Sequence, residues 1–169
     1  MTSGMSVKIK NRHRLKGRDI RQFQDELKKT FSDEFFNERS SVETGEFENQ
    51  KIIFVDGEPS FMFYKNKIFF TLQGINKFKP KQNFVVVDMG AIKFVTNGAD
   101  VMAPGIIDAD INISEDDQVW ICDQNHHKPL AVGIAVMTGE DMVKEKKGKA
   151  IITIHYVGDS LWNFVAKSL

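Results

Sequence analysis

Four groups of residues in this 169-residue chain have types and spacings that could do chemistry. The first is Cys122 with His126 and His127. A nucleophilic thiolate needs an accessible, electropositive site, whereas Cys122 lies between Ile121 and Asp123 in a strand-like run and reads as inert packing. Side chains of adjacent histidines diverge, and their spacing to Cys122 is not that of a zinc site, so a polar loop is expected and no metal. The second is Asp116 with Asp117 in SEDDQ. Calcium needs regularly spaced oxygen ligands closed by a bidentate glutamate; these are missing, and a hairpin turn accounts for the pair better. The third is Gly148 with Lys149, which fails as a phosphate loop because Ala150 follows and the preceding glycine is Gly139. Neither G-x-S-x-G nor G-x-G-x-x-G occurs. The expectation is therefore a binding protein rather than an enzyme, with no cofactor.

The fourth group is Gly90, Ala91, Lys93, Gly98 and Ala99 within VDMGAIKFVTNGADVMAPGI, residues 87–106. Small residues there leave backbone N–H groups uncovered near a helix start and the loop after it. Such backbone approaches a phosphate or a sugar closely. Lys93 projects from the same helix and is the only basic residue between Gln82 and His126. The competing reading, that these glycines only shape tight turns, stays open on the residues alone.

The elements that position this segment follow from periodicity. Ile20, Phe23, Leu27 and Phe31 recur at helical spacing and predict an amphipathic helix over 17–31. Residues 37–50 are polar and read as a loop or weak edge. Strands are predicted over 51–55, 61–64 and 67–72, with turns at Asp56–Gly57 and Lys65–Asn66. Residues 73–83, QGINKFKPKQN, read as a short linker, which favours fixed rather than tumbling domains. A strand over 84–87 and a helix over 90–97 come next, the helix stopped at Asn97–Gly98. Further strands are expected over 106–113, 119–122, 130–137 and 150–156, with a polar helical turn over 139–147. Short strands at regular intervals point to a small barrel or closed sheet. The tail carrying Leu161, Trp162 and Phe164 is too apolar to stay in water and is expected to dock. A domain boundary is placed near residue 82, giving domains 1–82 and 83–169.

Hydrophobic residues make up 41% and charged residues 27%, which excludes a largely disordered chain. The longest apolar run, 130–137, is far shorter than the roughly 20 residues of a membrane helix, and no secretory signal is read at the start. One cysteine forms no internal disulfide; a cytoplasmic protein is expected. The net charge of zero hides blocks: 1–21 carry seven bases and one acid, 61–81 five lysines and no acid, and 101–125 six acids and no base. The candidate basic patch comprises Lys8, Lys10, Arg12, Arg14, Lys16 and Arg18, then Lys77, Lys79 and Lys81. Such blocks gather into a phosphate-attracting surface or merely solvate the chain's faces, and charge alone does not decide.

Residues 87–106, then LAVGIAVM (130–137), GEDM (139–142), a glycine–lysine step and IHYVGDSLWNF (154–164), closely resemble a PUA domain in content and order. PUA domains are the RNA-binding modules named for pseudouridine synthases and archaeosine transglycosylases. The I-H-Y…L-W ending and the KIIFVDGEPSFMFYKNKIFFTL segment are similar to the archaeal-type members of the MCT (malignant T-cell-amplified sequence) and ligatin family. The resemblance implies an α+β chain: an N-terminal α/β pre-PUA domain followed by a PUA β pseudo-barrel with short helices. It implies RNA binding in translation, with ribosomal RNA or transfer RNA, the small ribosomal subunit and a second translation factor as partners. Carried onto this sequence, it places RNA against Gly90, Ala91, Lys93, Gly98, Ala99, Met102, His155 and Tyr156. One departure is Ala103, where the MCT branch often has cysteine. Two other readings remain: an accessory subunit of an RNA-modifying enzyme such as a pseudouridine synthase or transglycosylase, and a protein-interaction module.

Overall fold

In the computed structural model, which describes residues 9–168, the first domain is built on a five-stranded antiparallel meander. Strand β1 (Lys10–Arg14) precedes helix α1 (Gly17–Phe31), and β2 (Val42–Phe47), β3 (Gln50–Val55), β4 (Glu58–Tyr64) and β5 (Lys67–Phe70) follow in spatial order. Helix α1 buries Ile20, Leu27 and Phe31, the stripe its spacing predicts. The turns at Asp56–Gly57 and Lys65–Asn66 have both residues at positive φ, matching the twist of their hairpins. Residues 42–47 are a strand, not a loop. Val42, Thr44 and Phe47 face inward while Glu43 and Glu46 face β1, and Glu48–Asn49 makes a positive-φ turn without any glycine.

The segment expected to be a linker is largely helix α2 (Leu72–Phe78). Thr71 caps it, accepting from the Gly74 N–H at 3.0 Å and donating to the Pro59 carbonyl at 2.8 Å. Gly74 looked like flexibility in the sequence. In the fold it is close packing, because a Cβ there would collide with the Ser60 carbonyl of β4.

The second sheet contains β6 (Phe84–Val87), β7 (Val101–Met102), β8 (Ile106–Ala109), β9 (Gln118–Asp123), β10 (Pro129–Ala135) and β11 (Lys149–Tyr156), in the order β7–β11–β10–β9–β6–β8. Its two edges, β7 and β8, are joined by a single 3₁₀ turn, Ala103–Gly105, so the sheet must curl until its edges meet. The result is the pseudo-barrel of a PUA domain, with one parallel pair, β6 with β9. Val85, Ile106, Val119, Ile121 and Ile151 fill it. The predicted helix over 90–97 divides into a 3₁₀ turn, Met89–Ala91, and α3 (Ile92–Val95). Strand β8 ends at Ala109 because Asp110 turns the chain, its carboxylate accepting from the N–H of Asn83 at 2.7 Å and of Asn112 at 3.0 Å. The polar turn after β10 is α4 (Gly139–Lys144). Among the described residues no helix is long and apolar enough to cross a membrane.

The two sheets share one core. Val132 of β10 and Leu161, Phe164 and Val165 of the last helix, α5 (Ser160–Ser168), pack with the apolar face of the first sheet. Phe164 stacks on Phe47 with ring centroids 4.5 Å apart. Gln118 zips onto β5 by accepting the Phe70 N–H at 2.7 Å and donating to the Ile68 carbonyl at 3.0 Å.

His155 corrects an expectation. Its side chain is only 2% exposed and does not reach the RNA-accessible surface. Nε2 accepts the Leu72 N–H at 3.1 Å, and an amide N–H can only donate, so the ring is neutral and its Nδ1–H donates to Asp159 at 2.8 Å. His155 thus satisfies one of the orphan N–H groups at the start of α2 from across the domain junction. Asp159 also accepts from the Tyr156 N–H at 3.0 Å and, as cap of α5, from the Trp162 N–H at 2.7 Å. Burial pushes its carboxyl up, but these donors together hold it below the usual carboxylate range. A depressed carboxyl contributes stability that is present above its ordinary pKa and lost as pH falls through the folded value. Asp159→Asn keeps a capping oxygen but turns an NH2 toward two donors. Thermal melts at pH 7 should show a loss of about 1–3 kcal/mol. The gap from the parent should narrow below about pH 4. An equal gap at pH 3 and pH 7 would show that the charge contributes nothing.

Candidate nucleic-acid interface

A cleft of about 580 Å3 opens on the PUA domain where the segment after β6 passes the segment around β7. The local sequence builds it. Asp88 at the end of β6 accepts the Ala91 N–H at 2.9 Å and so starts the 3₁₀ turn. Its own N–H bonds the Gly105 carbonyl at 2.9 Å, drawing the two segments together. Gly105 has no side chain to hold them apart; a Cβ there would lie 3.2 Å from that of Ala91. Helix α3 ends at Gly98, whose φ of +84° suits glycine and whose missing Cβ would sit 2.7 Å from the Tyr156 ring. Tyr156 therefore backs the loop from behind.

Gly90, Ala91, Ala99 and Met102 all line the cleft, together with Asp88, Phe94, Asp100 and Pro104. Gly98 and Tyr156 support it without lining it. Lys93 stands on its rim, exposed, with Nζ 5.1 Å from the centre of the Phe94 ring. Helix α3 has only four residues and supplies no N-terminal dipole of its own, so the cleft binds by shape and by side chains.

Three contributors were not expected from the sequence. Phe94 is 57% exposed and Met102 49%, with Met89 beside them at 47%. Exposed large apolar groups around a concavity mark a binding surface rather than core. The third is an ion pair at the cleft, Asp100 with Lys149, 2.9 Å apart. The Lys149 hydrogen bond, with the Thr153 N–H, outweighs partial burial and holds the Asp100 carboxyl below its usual range. Asp100 thereby masks the cation nearest to Met102, whose strand pairs with that of Lys149. Asp100→Asn keeps an acceptor for Thr153 and unmasks the ammonium. RNA affinity at low salt should rise about two- to five-fold, with a steeper salt slope. An unchanged affinity in fluorescence anisotropy would remove Lys149 from the interface.

The expected basic patch is scattered. Lys10, Arg12 and Arg14 lie on β1, the edge of the first sheet opposite to β5, and β5 is the edge that meets the PUA domain. Arg12 pairs with Glu43 at 3.3 Å and lies over the Phe54 ring at 4.2 Å. Lys16 and Arg18 sit at the start of α1; Lys77 donates to the Val55 carbonyl at 3.1 Å. Lys79 lines a second groove described below, Lys81 is exposed, and Lys8 lies outside the described residues. Cys122 is buried, and desolvation with Asp123 and Asp108 nearby pushes its thiol up to about 12. Among the described residues, no group of three or more His, Cys, Asp or Glu side chains is placed to hold a metal.

Residues 83–157 match the PUA domain, and residues 11–78 match a domain described only as a domain of unknown function (DUF1947). An uncharacterized protein of Methanocaldococcus jannaschii is 47% identical over 160 residues, covering 94% of this chain and 99% of that protein. Translation machinery-associated protein 20 of Saccharomyces cerevisiae is 34% identical over 139 residues, covering 78% of this chain and 77% of that protein. The rat protein malignant T-cell-amplified sequence 1 is 35% identical over 120 residues, covering 69% and 66%. The chain belongs to the MCT family. It is an archaeal-type MCT-like PUA protein, an RNA-binding and translation-associated class. The crystal structure of a hypothetical protein from Pyrococcus horikoshii superposes with a TM-score of 0.83 at 35% identity, covering 91% of this chain and 99% of that one.

Proposed function

We propose that this protein is a non-enzymatic RNA-binding factor that works in the cytoplasm on the small ribosomal subunit, contacting ribosomal RNA or transfer RNA during initiation or recycling. The observation that carries this reading is the PUA cleft: exposed Phe94 and Met102 flank exposed backbone at Gly90 and Ala99, with Lys93 on the rim. An unstacked base finds an aromatic face on Phe94, and the adjoining phosphate finds the Lys93 ammonium. Nothing in this arrangement transfers a group or a proton; its work is to hold RNA. A protein docked this way also offers its first domain, fixed by the shared core, to a second translation factor.

The test is gradient sedimentation of cell extract containing the full-length protein. The expected result is co-migration with small subunits, lost in the Lys93→Glu variant and lost on raising salt. Migration with an RNA-modifying enzyme instead would favour an accessory subunit of that enzyme. Migration of free protein at low salt would remove the ribosomal assignment.

A further inference from the structure

A second groove, of about 370 Å3, opens at the junction of the two domains and shares no residue with the cleft. The end of α2 and the turn after it contribute Lys79 and Pro80; the β9–β10 hairpin contributes His126, His127 and Lys128, and β9 itself contributes Trp120. No carboxylate lines it. Lys79 and Lys128 have no ion-pair partner among the described residues, whereas Arg12, Arg21, Lys28 and Lys149 each have one. The acid nearest in sequence, Asp123, is buried and points its oxygens into the hairpin, accepting from the N–H of Asn125, His126 and Lys128 at 3.1, 2.9 and 2.6 Å. One of those oxygens lies 3.6 Å from the His126 ring, which leaves His127 and the two lysines uncompensated.

The groove is also rigid. Trp120 is half-buried, and its indole N–H donates to the Gln82 carbonyl at 2.9 Å, which fixes the ring. Lys79 has φ +49° and closes α2 by donating its N–H to the Ile75 carbonyl at 2.8 Å. His127 has φ +51° and donates its N–H to the Asp123 carbonyl at 3.0 Å. An aromatic ring held in place between two free ammonium groups is the combination that single-stranded nucleic-acid sites use, and preorganisation lowers the cost of binding.

We propose that this interdomain groove is a second nucleotide site, taking one nucleotide of single-stranded RNA with its base on Trp120 and its phosphate between Lys79 and Lys128. The proposal rests on the RNA-binding reading above but not on the cleft, and it makes the docked domain pair, rather than the PUA barrel alone, the recognition unit.

The chain has two tryptophans, so in the full-length Trp162→Phe variant Trp120 is the sole indole. Titration with a labelled eight-nucleotide uridine-rich RNA should quench its emission in step with the anisotropy of the label. Lys79→Glu/Lys128→Glu in the otherwise natural chain should weaken binding at least five-fold and lower the salt slope by about 1.4, at roughly 0.7 per lost phosphate contact. Lys93→Glu should leave the quench at saturation intact. Uridine monophosphate should compete better than inorganic phosphate. Binding with unchanged Trp120 emission, or an unchanged slope in the double variant while Lys93→Glu lowers it, overturns the groove and leaves the cleft standing. Equal competition by inorganic phosphate overturns the base contact. Absence of RNA binding by the parent chain overturns both readings.

Discussion

Ending the chain at Asp159 should lower the melting temperature by roughly 10–20 °C or leave the protein unable to fold. Helix α5 inserts Leu161, Phe164 and Val165 into the core beneath the first sheet, each less than one-tenth exposed. Burying such a side chain contributes roughly 1.5–3 kcal/mol, so the three together approach the stability of a typical domain. The stacked pair Phe47 and Phe164 adds an aromatic contact that no other residue replaces. Deletion also uncaps the Asp159 network and with it the hold of His155 on α2. Calorimetry and near-UV circular dichroism read the result. A truncated chain that melts with the parent would mean that α5 is a passenger, available instead for a partner.

Phe94→Ala should weaken single-stranded RNA binding by about 1–3 kcal/mol, the cost of removing one base-stacking platform, with little change in salt slope. Lys93→Glu should act differently, weakening binding and lowering the slope by about 0.7. Both side chains are exposed, so neither change should shift the melting temperature. The contrast between the two variants separates stacking from phosphate attraction within one cleft. If Phe94→Ala binds as the parent does, the exposed ring is not part of the interface.

Much of this architecture is legible in the sequence because it is local. Helix α1 and the two central turns of the first sheet come from residue spacing and from Asp-Gly and Lys-Asn steps. Strands β1 and β2 are not legible because their outward residues are charged or polar and their pairing is made across the chain, as between Asn11 and Glu46. Helix α2 is hidden for a related reason: Gly74 signals flexibility in isolation, and only the Ser60 carbonyl beneath it reveals tight packing. In the candidate site, Gly90, Ala91, Ala99 and Met102 fall where expected. Phe94 at helical spacing reads as core and turns out exposed, since a four-residue helix is too short to bury a full stripe. His155 reads as a contact residue within a recognisable motif, yet its partner Leu72 lies 83 residues earlier. Asp100 and Lys149 escape notice because nothing local links them.

The central claim is that RNA lies in the PUA cleft. Photocrosslinking the full-length protein to a single-stranded RNA carrying a photoreactive uridine, followed by peptide mapping, tests it directly. Adducts are expected on the segment from Met89 to Gly105, above all at Phe94 and Met102, and should fade in Lys93→Glu. Adducts confined to β1 and α1 at saturating RNA, with none between Met89 and Gly105, would contradict the assignment.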